Sequence, residues 1–274
     1  IDPEHDSSHT NLGIAYGHLA DGSAGERKQF FIQKSQFHFL KSLSFGTDDF
    51  EVRNLNALSL MKENRMQEAV EQFRKALQKS PDHGGIHNNL GMAIEQLGNI
   101  DLAITHYQKA AAQLSSSADV ANRLGLALTK KGLVLEAAEA FARAVALNPQ
   151  NPFYRNNLGF KLLEAGRLKD SILHLTVAVK GHPQEAKFQG NLGLALSQAG
   201  EYGLAVQHYA KALQRQPNAA DVHHGMGVAL AALGRNELAA QHLREAFRLN
   251  PQNAEAKKSL DQLLKKKDPA PRKQ

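Results

Sequence analysis

Along most of the chain apolar residues recur three or four positions apart, as at Leu90, Ile94 and Leu97, the spacing of a helix with one buried face. Glycine stops each such run, at Gly98, Gly132, Gly166, Gly200 and Gly234, where a left-handed residue would end a helix. A second apolar run follows and closes on Pro81, Pro149, Pro183, Pro217 or Pro251, with Ser115 in that place once. Proline cannot continue a helix, so the pattern predicts successive two-helix units.

The units repeat. Leu-Gly or a close substitute stands at Leu90-Gly91, Leu124-Gly125, Leu158-Gly159, Leu192-Gly193 and Met226-Gly227, 34 residues apart each time. Twelve places after each glycine comes a small residue (Ala103, Ala137, Ser171, Ala205, Ala239). Sixteen places after it comes a large one (Tyr107, Phe141, Leu175, Tyr209, Leu243), and nineteen after it an alanine (Ala110, Ala144, Ala178, Ala212, Ala246). Ala57, Ala69, Phe73 and Ala76 extend the register backwards. Small residues let two backbones approach while the large side chain fills the adjacent gap. One helix pair cannot bury its apolar face alone, whereas a stack of them makes a continuous core.

The register expects a first repeat at 6–49, then repeats at 50–83, 84–117, 118–151, 152–185, 186–219 and 220–253. Residues 254–267 read as a capping helix with Leu260, Leu263 and Leu264 on its packed side, and 268–274 as a disordered basic tail. The first repeat matches at Asn11-Leu12-Gly13, Tyr16, Ser35, Phe39 and Ser42 but carries ten extra residues between its helices. Ala20 to Gly25 reads as a flexible loop by composition, either a tolerated insertion or a partner-contacting lobe helped by Phe30, Phe31, Phe37, Phe39 and Phe45. Residues 1–5, with Pro3 nine places before Leu12, read as the tail of a missing upstream repeat.

These residues resemble the tetratricopeptide repeat (TPR) family across residues 6–253. The resemblance implies an all-α, right-handed TPR solenoid of about seven repeats with a C-terminal capping helix. The family's tryptophan, three residues before the leucine, is replaced by Arg53, His87, Ala121, Arg155, Gln189 and His223, so packing there should be looser or more polar.

In TPR proteins the face carrying the two residues before the leucine and the one after the glycine lines a concave groove. Here those places hold Asn11, Asn54, Asn88, Asn89, Asn122, Arg123, Asn156, Asn157 and Asn191, then an apolar stripe of Ile14, Leu58, Met92, Leu126, Phe160, Leu194 and Val228. A column of carboxamides can donate to and accept from an extended backbone. Asn11, Asn89, Asn157 and Asn191 resemble the asparagine ladder in TPR domains of the O-linked N-acetylglucosamine transferase type, although such amides also bridge neighbouring helices. Lys130, Lys187 and Arg123, opposed by Glu95, Asp119 and Glu164, are too few to hold an acidic C-terminal carboxylate. The expected ligand is an amphipathic helix or extended apolar segment of a partner protein, with self-association of the chain a further option.

Composition narrows the chemistry. The 274 residues include no Cys, which removes disulfides, thiolate metal sites and cysteine nucleophiles. Of a net charge of +6, the segment 254–274 carries +4 (seven basic, three acidic residues), leaving +2 on the rest, too little for a basic RNA groove. His38, His106, His174, His208 and His242 each precede the large residue of their repeat and read as a row on the outer face rather than a metal cage. His5/His9 and His83/His87 have helical spacing but invite adventitious metal at most. Gly225 and Gly227 lie inside a repeat helix with no preceding strand, which removes a phosphate-loop reading. No cofactor, metal site or enzyme activity is expected. The leading function is a protein-interaction scaffold, in style a bacterial one. The alternative is a targeting or regulatory TPR domain of a larger enzyme such as a glycosyltransferase. No window spans a bilayer, membrane contact would need segments outside this chain, and compartment is not legible.

Overall fold

A computed structural model describes residues 3–46 and 49–267, with side chains from 7 to 265 in that span. Fifteen helices and no strand occur among the described residues. They divide into two compact units, Ile1–Leu147 and Asn148–Gln274. The first holds α1 (Pro3–Asp21), α2 (Gly25–Ser44), α3 (Phe50–Lys62), α4 (Met66–Lys79), α5 (Gly84–Gln96), α6 (Ile100–Gln113), α7 (Ala118–Lys130) and α8 (Val134–Leu147). The second holds α9 (Pro152–Glu164), α10 (Leu168–Gly181), α11 (Ala186–Gln198), α12 (Tyr202–Arg215), α13 (Ala220–Ala232), α14 (Asn236–Leu249) and α15 (Ala254–Lys267).

Helix boundaries follow the punctuation in the sequence. Gly132 adopts φ 79, and the Leu133 N–H returns to the Leu128 carbonyl at 3.0 Å while the Gly132 N–H bonds Thr129 O at 3.0 Å, closing α7 in a Schellman turn. Asn64 fills this place in the second repeat with φ 62; asparagine tolerates the left-handed region better than other residues with a side chain.

The close approach of each helix pair explains the Leu-Gly dipeptide. A Cβ added at Gly125 would stand 2.6 Å from the Phe141 ring, and one at Gly91 or Gly193 would stand 2.8 Å from Tyr107 or Tyr209. The large residue therefore sits directly on the glycine backbone. Ala57 performs the same role opposite Phe73, and both are fully buried. Each first helix packs on its own second helix, and first helices also touch the next first helix in α1–α3, α3–α5, α9–α11, α11–α13 and α13–α15. The first helices thus line one face within each unit.

The first repeat corrects one expectation. The ten added residues do not form a long loop: α1 and α2 lengthen to 19 and 20 residues, and only 22–24 connects them. Ala20 is fully buried and the Ser23 hydroxyl caps the Leu19 carbonyl at 2.7 Å, so the end of α1 is held. Residues 26–33, mostly good helix formers, extend α2 backwards. Phe30 and Phe37 remain exposed, whereas Phe39 is buried on Gly13.

At the other end, Ala256 and Leu263 of α15 are buried and Leu260 packs beside Leu263, but Leu264 stays 40% exposed in an open cleft shared with Asn236, Ala240 and Arg244 of α14. The readings placed on Ile1, Asp2 and Asp268–Gln274 lie outside the described residues.

Candidate functional site

The missing tryptophans have a specific replacement. In six of the seven repeats the residue three before the leucine meets the second-helix residue that precedes the large one, nineteen places later, or twenty-nine in the first repeat with its ten added residues. The pairs are His9–His38 (2.8 Å), Arg53–Gln72 (3.1 Å), His87–His106 (2.9 Å), Arg155–His174 (3.3 Å), Gln189–His208 (2.6 Å) and His223–His242 (2.9 Å). Four of these first-helix residues also bond the preceding proline carbonyl: His87 to Pro81 (2.8 Å), Arg155 to Pro149 (2.7 Å), Gln189 to Pro183 (2.7 Å) and His223 to Pro217 (2.9 Å). Each forms a polar clip tying the incoming chain, the first helix and the second helix together.

The chemistry of the clip fixes its protons. A carbonyl only accepts, so His87 Nε2 donates to Pro81 O, neutral His87 presents Nδ1 as acceptor, and His106 Nδ1–H donates to it. This corrects the expectation of an outer-face histidine row: His38, His106, His174, His208 and His242 are half-buried between the helices of their own repeats. Burial disfavours the charged imidazolium and lowers the pKa of all five, and of the paired His87 and of His224, with His106 pushed down to about 4. His83 also has a structural task, its ring nitrogen accepting from Ile86 N at 3.2 Å as a helix cap. Among the described residues no group of three or more His, Asp or Glu could hold a metal ion.

On the first-helix face the carboxamides bond one another across repeats. Asn89 donates to Asn54 at 3.1 Å and Asn191 donates to Asn156 at 2.8 Å, each pair 35 residues apart. His224 and Ser259 make the same rung at 3.1 Å. Asn156 is 1% exposed, so part of the amide column is internal to the stack. Asn88 donates to Asn89 at 3.2 Å, and its own oxygen is buried without a partner. Asn122 and Asn157 are half-buried, whereas Asn11 and Arg123 are exposed.

The apolar stripe is accessible. Leu126 is 42% exposed and Val228 38% exposed, and Ile14, Leu58 and Met92 together line a mostly apolar cavity of about 400 Å³ in the first unit. Gly13, Gly17, Leu55 and Met61 also line it, with the Lys62–Asp21 ion pair (2.6 Å) among its polar lining. In the second unit Phe160, Lys187, Asn191 and Leu194 line another cavity, of about 660 Å³, with Val222, His224 and Gly225. Of the amide and stripe residues read from the sequence, the first cavity gathers Ile14, Leu58 and Met92 and no asparagine, and the second gathers Phe160, Asn191 and Leu194, with Lys187 beside them. Gly190, Tyr209 and Gly225 also line the second cavity and were missed; glycine in place of asparagine was the available signal.

Charge on this face is largely compensated. Glu95 accepts from Tyr107 at 2.6 Å and from Lys130 at 2.7 Å. Burial alone would raise its carboxyl, but those bonds outweigh it and hold the group below the ordinary carboxylate range. No helix of the described residues is long and apolar enough to cross a membrane.

Stacked helix pairs with one accessible, amide-bordered apolar face define an all-α helical-repeat protein. The chain belongs to the tetratricopeptide repeat family: models described as tetratricopeptide repeat match residues 54–118, 112–152 and 220–253, and one described as TPR repeat matches 193–234. No curated protein matched the sequence. Among solved structures, the chain is similar to YrrB, described as a TPR protein with an unusual peptide-binding site, at 22% identity and a TM-score of 0.60 over 70% of this chain and 99% of that one. PilF of Pseudomonas aeruginosa aligns at 20% identity and a TM-score of 0.64, covering 78% of this chain and 97% of its own. Cut9–Hcn1 of the APC/C aligns at 19% identity and a TM-score of 0.63, covering 94% and 52% respectively.

Proposed function

We propose that the protein is a non-enzymatic interaction scaffold whose first-helix face binds an apolar or amphipathic segment of a partner protein. The observation that carries this reading is the convergence of Ile14, Leu58 and Met92 on one mostly apolar cavity, with Phe160 and Leu194 lining another. In a chain whose net charge outside its C-terminal segment is only +2, such cavities on a face bordered by carboxamides suit a peptide better than a nucleic acid. Methionine at 61 and 92 adds soft, adaptable contacts of the kind promiscuous grooves use. The peptide-binding description of YrrB, a protein of the same fold, agrees with it.

The test is a peptide-display selection on the full chain, followed by fluorescence anisotropy. Leu58→Asp, Met92→Asp or Leu194→Asp should weaken the selected peptides about tenfold or more, since each places a charge in an apolar contact. Asn122→Ala, Asn157→Ala and Asn191→Ala together should weaken extended ones, with helical circular dichroism unchanged. Peptides that bind every variant as they bind the parent would refute the groove.

A further inference from the structure

The cavity in the second unit exists because one rung of the amide column is missing. Rungs join the residue two before the leucine of one repeat to the residue one before it in the next, as in Asn156–Asn191 and His224–Ser259. The rung between these two would join Gly190 and Gly225, and neither has a side chain. The gap is walled by Phe160, Leu194 and Val222 and flanked by Asn191 and His224, rung members on either side.

Tyr209 marks the inner wall of the gap. It is 2% exposed, and its hydroxyl has no hydrogen-bond partner. A Cβ at Gly225 would stand 2.5 Å from that hydroxyl, so the glycine is what makes room for it. Tyr107, its counterpart in the third repeat, bonds Glu95. Position 197 holds serine where that repeat holds Glu95, and its shorter side chain leaves the Tyr209 hydroxyl without a well-formed hydrogen bond. A buried hydroxyl left unpaired costs about 1–3 kcal/mol, a cost a ligand that bonds it would remove.

We propose that the Gly190–Gly225 gap is a socket for a glutamine side chain of an extended partner segment, whose terminal carboxamide restores the missing rung. The proposal rests on the groove reading above and deepens it. A carboxamide both donates and accepts, as the neighbouring rungs require, and glutamine has the reach that a side chain entering from outside needs. A neutral tip suits the inner wall, where only amide, imidazole and phenol groups stand, and burial keeps the His224 ring neutral. Lys187 at the rim is outnumbered by Glu185 and Asp221, so a carboxylate tip is disfavoured. The apolar walls call for apolar residues flanking the glutamine.

The probe is a random peptide library displayed against the full chain. Selected peptides should carry glutamine at one fixed position with apolar neighbours, and their Gln→Glu and Gln→Ala versions should bind about tenfold more weakly. Gly190→Asn, whose Cβ meets only Val222 Cγ2 at 3.3 Å, refills the rung and should lower affinity about tenfold with little change in melting temperature. Tyr209→Phe, which deletes the unpaired hydroxyl and leaves the packing, should weaken the same peptides several-fold without loss of stability, and covers the case in which the asparagine variant folds poorly. An acidic, basic or aromatic residue at the fixed position, or affinity indifferent to Gly190→Asn and Tyr209→Phe, overturns the socket. Peptides sensitive only to Leu58→Asp or Met92→Asp overturn the socket and leave the groove reading standing. Indifference to every groove variant, or no selected peptide, overturns both.

Discussion

Lowering the pH from 7 to 4 should reduce the melting temperature by roughly 10 °C or more, most of it before the carboxylates titrate. Above the ordinary histidine pKa of 6.5 the imidazoles are neutral in folded and unfolded chains alike. Below it the unfolded chain takes up protons that His38, His87, His106, His174, His208, His224 and His242 in the folded chain resist, so stability falls with pH. For His106 the loss is complete near its folded pKa of about 4. The gap from 6.5 sets an upper bound of ~3 kcal/mol for this residue, which partial solvent exposure cuts to ~1–2 kcal/mol. His87, Lys109 and Arg74 all face it, and each makes protonation harder. Glu95, held low by Lys130 and Tyr107, contributes a separate loss only below its ordinary value of 4.5.

The repeats supply their own control. Gln189 makes the same two bonds to Pro183 and His208 that His87 makes to Pro81 and His106, without a titrating ring. His87→Gln should therefore keep its clip at neutral pH and soften the fall below pH 6, read by circular dichroism melts at half-unit pH steps. Equal acid loss in parent and variant would show that this clip does not contribute to it.

The clips also show where sequence reasoning stopped. The 34-residue period located the helix pairs and the Gly–aromatic contacts because each depends on a residue type at fixed spacing within one unit. The partner of His106 was not legible that way. Nineteen residues separate it from His87, and only the crossing of the two helices decides that the rings meet at 2.9 Å instead of facing solvent. The asparagines posed a similar difficulty, since period alone cannot say whether Asn156 faces a ligand or Asn191. Gly190 and Gly225 carry no side chain that could mark the gap in sequence; only the rungs on either side, Asn156–Asn191 and His224–Ser259, define it. The first repeat misled for a compositional reason: Gly22, Ser23 and Gly25 are loop formers, yet neighbouring helix formers and the buried Ala20 confine the break to three residues.

Truncating the ring that rests on a repeat glycine should have the largest effect of any single substitution in the first unit. Phe141 is 1% exposed and covers Gly125 so closely that an added Cβ would lie 2.6 Å from the ring. Phe141→Ala removes the ring and leaves a cavity between α7 and α8, at about 3–5 kcal/mol. Gly125→Ala strains the contact from the other side, at about 1–3 kcal/mol. Its lower bound applies if the helices can separate slightly; the second repeat, with Ala57 at the glycine position and both Ala57 and Phe73 fully buried, shows that a methyl is accommodated there. The double variant should be more stable than the sum of the two losses predicts, because the new methyl enters the space the ring vacated. Because each repeat is stabilised by its immediate neighbours, the loss should concentrate in α5–α8, and amide exchange should rise there first. Urea titration of the three variants, with exchange followed by mass spectrometry, measures both. A Phe141→Ala change below about 1 kcal/mol would mean that the glycine–ring contact is not what holds the helix pair together.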